Sequence, residues 1–192
     1  GVGVDDGVIT LAAMLPLSGT LEPFGKSVLE GHEVYWAYVN EVLGGVGSNY
    51  AVRFAPLDTA YDEETARTLW AANEDDILAI SSVLGSPITD ALLGEIGDRR
   101  ILLAAGSQAA GGSTSPNVVL NLAIPTYRDQ ISGAILAGGA EEPVVPAKPP
   151  LGFLYQEGVF GNDCLAGFEQ TTAAYGAGEA FSIGHPAGTT EF

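Results

Sequence analysis

Residues 8–45 read VITLAAMLPLSGTLEPFGKSVLEGHEVYWAYVNEVLGG, and this stretch decides the fold. Its first eight residues form a largely apolar run between Asp5-Asp6-Gly7 and Pro16. A short apolar run bounded by turn residues predicts a buried strand. A loop of small and polar residues follows Pro16, and then the period changes. Apolar or small residues at 24, 28, 31, 35, 39 and 42 recur at helical spacing, which predicts a helix over 24–43 that packs through that face. Gly44-Gly45 ends it, because glycine readily takes the left-handed conformation that closes a helix C-terminus. The loop between the two elements is either a plain turn or a place where a small molecule meets a helix start.

The alternation continues outward from this unit. Strands are predicted over 51–57, 77–84, 101–105 and 118–122, and helices over 62–73 and 87–96. The 62–73 helix is acidic in its first turn, which suits the positive end of the helix dipole. Ser86 is placed as N-cap of the next helix, with Pro87 at its first position. Such a series predicts an α/β fold, a parallel sheet flanked by helices on both faces. Right-handed crossovers bring the carboxyl ends of all strands to one edge, and ligands of open α/β sheets sit outside that edge. Three loops fall on this rim: residues 16–24, 85–87 and 106–115.

A helix is predicted over 127–139. AEEPVVPAKPP (140–150) then carries four of the chain's eleven prolines. Such a segment is neither helix nor central strand, and reads as an exposed loop or a connector between lobes. Strand, helix and strand resume over 151–155, 160–175 and 179–183. The expected organisation is a first lobe over 1–125, a helix and connector over 126–150, and one βαβ unit over 151–192. A lone βαβ is too small to make a two-sided domain by itself.

Composition narrows the function classes. The chain has 192 residues, 46% hydrophobic, enough for a substantial core. Its net charge is −17, from 24 acids against 7 bases. That balance argues against nucleic acid, whose phosphates require a basic surface, and against anionic lipid. Cys164 is the single cysteine, so neither an intrachain disulfide nor a cysteine-based zinc cluster can form. No stretch approaches the roughly 20 apolar residues of a membrane-spanning helix. Gly1 is expected to follow a removed leader or an expression boundary.

Catalytic and metal motifs are missing. His32 falls inside the first helix and His185 in a terminal turn, and both read as structural or solvated. There is no HExxH, no G-x-S-x-G elbow and no Walker A sequence. The glycines at 44, 45 and 47 follow a helix rather than a strand, the wrong context for a dinucleotide loop. The acidic clusters lack EF-hand spacing. The expectation is a binding protein with no catalytic residue, cofactor or metal. Ser86 offers a hydroxyl at a helix start, either as a cap or as a partner for an anionic oxygen. The run GSQAAGG (106–112) is small enough to let a ligand approach the backbone.

Taken in order, these segments resemble the type I periplasmic solute-binding proteins, especially the branched-chain amino acid receptor group of ABC transporters. The resemblance rests on Pro16-Leu17-Ser18-Gly19, Phe24-Gly25, Asn40, Gly44-Gly45, Leu57-Asp58, Tyr61-Asp62 and Gly85-Ser86. The strand and small polar loop over 101–110, Phe160-Gly161 and the PAGTTEF run at 186–192 complete it. It implies two α/β lobes that close on a small molecule, here the first lobe and the start of the second. Carried over position by position, it implies ligand contacts from Gly85, Ser86, Ser107, Gln108 and Ala109. Phe24 and Phe160 become aromatic walls from the two lobes. Ala109 stands where threonine is common, removing a hydroxyl that would hold an amino-acid head. Phe24 and Phe160 stand where relatives often carry Tyr, making the pocket more apolar.

The implied function is the extracytoplasmic substrate-binding component of an ABC importer, taking an amino acid or similar small solute. The implied partners are that solute and an ABC permease, with a possible lipid tether outside this sequence. A ligand-sensing receptor of the same fold is the alternative. The resemblance also implies that Phe192 is a truncation point, because family members carry a complete second lobe.

Overall fold

The computed structural model describes residues 1–106, 119–120, 126–140, 150–175 and 180–191. These fall into two compact units. The first unit runs through β1 (Val4–Asp5), β2 (Val8–Leu15), α1 (Glu22–Glu41), β3 (Ala51–Asp58), α2 (Glu63–Asn73), β4 (Ala79–Val83), α3 (Ser86–Arg99), β5 (Leu102–Ala105) and β6 (Val119–Leu120). Strands β3, β2, β4, β5 and β6 lie side by side and parallel. The α/β architecture expected from the sequence is therefore present. One element was not anticipated. β1 folds back antiparallel on β2 through a turn in which Asp6 (φ 42°) and Gly7 (φ 76°) are both left-handed. Two residues are too few to carry a readable strand period.

The strand order sets the helix layers. The chain steps from β2 out to β3, then crosses back over β2 to β4. Right-handed connections therefore place α1 on one face and α2 and α3 on the other. The packing agrees: α1 rests on β2 and β3, and α2 packs beside α3. Beneath α2 and α3 lies the main core, in which Met14, Trp70, Ile80, Ile88, Leu92, Ile96 and Leu103 are all at most 1% exposed. Each such side chain contributes roughly 1.5–3 kcal/mol by leaving water.

Helix α1 packs through a different face from the one expected. Phe24, Tyr35 and Val42 are exposed (69, 56 and 66%). The inward residues are Gly25 and Val39, with Val28, Leu29, His32, Trp36 and Asn40 half-buried. The face is turned by one residue, about 100° on a helix. Gly25 sets this phase. A Cβ there would strike the Pro16 carbonyl, so only glycine lets the first turn of α1 press onto the end of β2. His32 stacks on Phe54 with ring centroids 5.0 Å apart, and burial pushes its pKa down. It is a neutral packing residue. At the far end of the helix, the Asn40 side chain donates to the Val52 carbonyl and accepts from the Val52 amide, both at 2.8 Å.

The second unit holds α4 (Tyr127–Ala140), β7 (Leu151–Gln156), α5 (Val159–Tyr175) and β8 (Ala180–His185). β7 and β8 pair in parallel, and Phe153 stacks on Phe168 of α5 at 5.0 Å. α4 packs along α5. The buried Asp163 carboxylate accepts from the Arg128 amide at 3.1 Å, and Thr171 donates to Ser132 at 2.8 Å. His185 ends β8 rather than lying in a terminal turn, because the strand runs two residues further than its apolar pattern.

Candidate functional site

The carboxyl ends of β2 and β4 are neighbours, and the connections leaving them run to opposite sides of the sheet. This is the topological switch point, where open α/β sheets bind ligands. Three loops meet around it. The first, residues 16–21, leaves β2; the second, 59–62, leaves β3; the third, 84–85, leaves β4.

Asp58, the last residue of β3, ties the first two loops. Its Oδ1 accepts from the Leu17 amide at 2.8 Å and from the Ala60 amide at 2.9 Å. Partial burial pushes this carboxyl up. The amide of Ala60, the hydroxyl and amide of Ser18 and the amide of Leu17 outweigh that and hold it below its ordinary value. A carboxyl whose folded pKa is depressed contributes stability above its unfolded pKa, and loses it as pH falls through the folded value. The melting temperature is therefore expected to drop as pH falls below about 4. Asp58→Asn, which cannot titrate, should show a shallower drop relative to its own value near neutrality. Thermal melts across that range decide, and equal slopes would remove Asp58 from the account.

Loop three is tied to the end of β2 through the Leu84 amide, which donates to the Met14 carbonyl at 3.0 Å. Gly85 then turns the chain at φ +116°, a conformation that L side chains rarely adopt. Its carbonyl accepts both the amide and the hydroxyl of Thr89 at 3.0 Å, which starts α3. Gly85, not Ser86, is thus the N-cap, and no side chain caps this helix. The expected Ser86 cap is corrected for a plain reason. Ser86 is already the first helical residue, so its hydroxyl does not stand at the position from which a cap accepts the free N–H groups of the first turn. Ser86 is 3% exposed, and its Oγ has no hydrogen-bond partner among the described residues. A buried polar atom left this way costs about 1–3 kcal/mol. It lies at the positive end of a 14-residue helix. The arrangement suits a carboxylate oxygen, which accepts a hydroxyl proton and backbone N–H groups together.

Phe24 lies in the first turn of α1, at the end of loop one, and faces solvent. Phe160 lies in the first turn of α5 in the second unit, half-buried and edge-on to Tyr127 at 4.7 Å. Ser107, Gln108 and Ala109 lie outside the described residues. Among the described residues, no group of three or more His, Cys, Asp or Glu is placed to hold a metal. Likewise, no described helix is long and apolar enough to cross a membrane.

The residue missed from sequence is Tyr61. Its ring sits on the bare face of Gly85, where an added Cβ would lie 2.6 Å from Tyr61 Cε2 and 3.3 Å from Ile88 Cγ1. In the sequence Tyr61-Asp62 carries part of the resemblance, but nothing local marks the ring as a neighbour of Gly85.

A family description, Periplasmic binding protein, matches residues 8–192. The chain belongs to this family. Periplasmic binding proteins of this kind are binding proteins, and the parallel sheet described above is their type I fold. Solved structures agree. A fatty acid ABC transporter substrate-binding protein from Thermomonospora curvata superposes with a TM-score of 0.86 at 24% identity, over 97% of this chain and 46% of its own. A solute-binding protein of an ABC transporter from R. palustris, in complex with 4-hydroxybenzoate, gives 0.77 at 18% identity, over 96% and 49%. An amino acid ABC transporter substrate-binding protein from Pseudomonas fluorescens gives 0.73 at 18%, over 96% and 48%. This periplasmic binding protein chain thus spans about half the length of the structures it matches. A search among curated proteins returns no match.

Proposed function

We propose that this chain belongs to the extracytoplasmic substrate-binding component of an ABC importer, and that it receives a small carboxylate-bearing solute at the strand-end rim. One observation carries the reading: the buried Ser86 hydroxyl, without a hydrogen-bond partner among the described residues, at the start of α3 and at the switch point of the sheet. The family match supports the binding role. The structural neighbours are named for a fatty acid, an amino acid and a hydroxybenzoate, and all three compounds bear a carboxyl group. The net charge of −17 argues against a nucleic-acid partner. Its partner after loading is a permease.

Ser86→Ala tests the reading in two measurements. Thermal melts of the whole protein with octanoate, L-leucine and 4-hydroxybenzoate should show stabilisation by at least one of them, since a ligand that binds only the folded state raises stability with its concentration. Removing the hydroxyl should weaken that ligand by about 10- to 100-fold, the worth of a hydrogen bond to a charged group. Without ligand the variant should be as stable as the parent or more so, because an unsatisfied buried atom is gone. A variant that loses about 1 kcal/mol without ligand, and no affinity with it, would return Ser86 to a capping role.

A further inference from the structure

Loop two is the strained part of the rim. Ala60 and Tyr61 are consecutive non-glycine residues in the left-handed region, at φ 48° and 61°. Such residues cost of order 1–3 kcal/mol each and persist only where their surroundings hold them. Here the surroundings are specific. Asp58 Oδ1 accepts from the Ala60 amide at 2.9 Å, and Thr59 Oγ1 accepts from the Tyr61 amide at 3.3 Å. Thr59 itself is fully buried, and its carbonyl takes the Asp62 amide at 2.8 Å. Asp62 then caps α2 by accepting from the Thr65 amide at 2.7 Å. Every position from 58 to 62 is thus committed to one conformation.

The product of that conformation is the placement of one ring. Tyr61 covers Gly85, immediately before Ser86, and touches the space in front of Ile88. Glycine at 85 is what admits the ring. Loop one is bound to the same assembly through Asp58 and Leu17. A half-buried aromatic ring therefore rests on the residue that precedes Ser86, whose buried hydroxyl lacks a partner among the described residues. A simple turn with glycine at 60 and 61 would carry no strain, and it would also leave this place empty.

We propose that Tyr61 is the specificity-determining wall beside Ser86: its ring sets the size and shape of the group attached to the carboxylate that Ser86 receives. This inference rests on the solute-binding reading. Ser86 supplies the attraction common to all carboxylates, and Tyr61 selects among them by the apolar volume it leaves.

The test compares Tyr61→Gly with Ser86→Ala, using calorimetric titration of the whole protein. The probes are straight-chain carboxylates of increasing length, L-leucine and 4-hydroxybenzoate. Glycine removes the ring and also accepts the left-handed backbone, so the fold should keep or gain stability. Tyr61→Gly is expected to change the ratio of affinities between probes by about tenfold or more, as removal of a sizing contact does. Ser86→Ala should lower all affinities by a common factor and leave the ranking alone. Tyr61→Phe keeps the ring and should keep the ranking. Tyr61→Asn, which also tolerates the left-handed region, serves if glycine unfolds the loop. A ranking unchanged within twofold in Tyr61→Gly or Tyr61→Asn, while Ser86→Ala weakens binding, overturns the role of Tyr61 and leaves the solute-binding reading standing. A parent protein that binds none of the probes overturns both.

Discussion

Trp70→Ala is expected to destabilise the first unit by about 3–5 kcal/mol, the range for truncating a buried large aromatic. Against a typical total of about 5–15 kcal/mol, that is a large fraction. Trp70 projects from α2 into the main core at 1% exposure, among Met14, Ile80 and Leu92. Its indole N–H is buried with no partner among the described residues, which already costs about 1–3 kcal/mol. Trp70→Phe keeps most of the apolar volume and discards the orphan donor. It should therefore lose much less than the alanine variant. Urea denaturation of the three proteins gives the ordering, with the midpoint falling in alanine and nearly held in phenylalanine. An alanine variant within about 1 kcal/mol of the parent would mean that this tryptophan does not support the core.

Gly85→Val is the second large effect, and it acts at the rim. A β-branched residue at φ +116° is strained by about 1–3 kcal/mol. Its side chain must also enter the space of the Tyr61 ring and Ile88, an overpacking cost of about 1–3 kcal/mol more. The two parts separate in a double variant. In a Tyr61→Gly background the ring is gone, so the crowding term should largely vanish while the backbone term remains. A coupling of about 0.5–3 kcal/mol is expected, as for residues in contact. Additive costs would mean that the ring does not rest on Gly85.

The layered α/β plan was readable because it depends on local pattern. Apolar runs such as 8–15 and helix boundaries such as Asp62 and Gly44-Gly45 are written in neighbouring residues. What escaped depended on contacts across the chain. The phase of α1 is set by Gly25 against Pro16, and a periodicity count over weakly apolar positions misjudged it by one residue. Ser86 reads as a cap because serine before Pro87 usually is one; only the backbone at Gly85 moves the helix start forward. Tyr61 escaped because its significance lies in a glycine of another loop. Part of the expected site, Ser107 to Ala109, lies outside the described residues, and Phe160 belongs to the second unit.

The Asn40 clamp on Val52 has a consequence for how the molecule meets other chains. In a parallel strand, alternate residues turn both backbone groups to one side, so Val52, Phe54, Pro56 and Asp58 line the side of β3 on which no strand pairs among the described residues. Asn40 occupies both groups of Val52. Pro56 has no N–H to offer, and a proline on an edge blocks ladder growth. Phe54 is left as an isolated pairing position between two blocked ones. A foreign strand finds no continuous template there, which guards this edge of the sheet against growing into an aggregate.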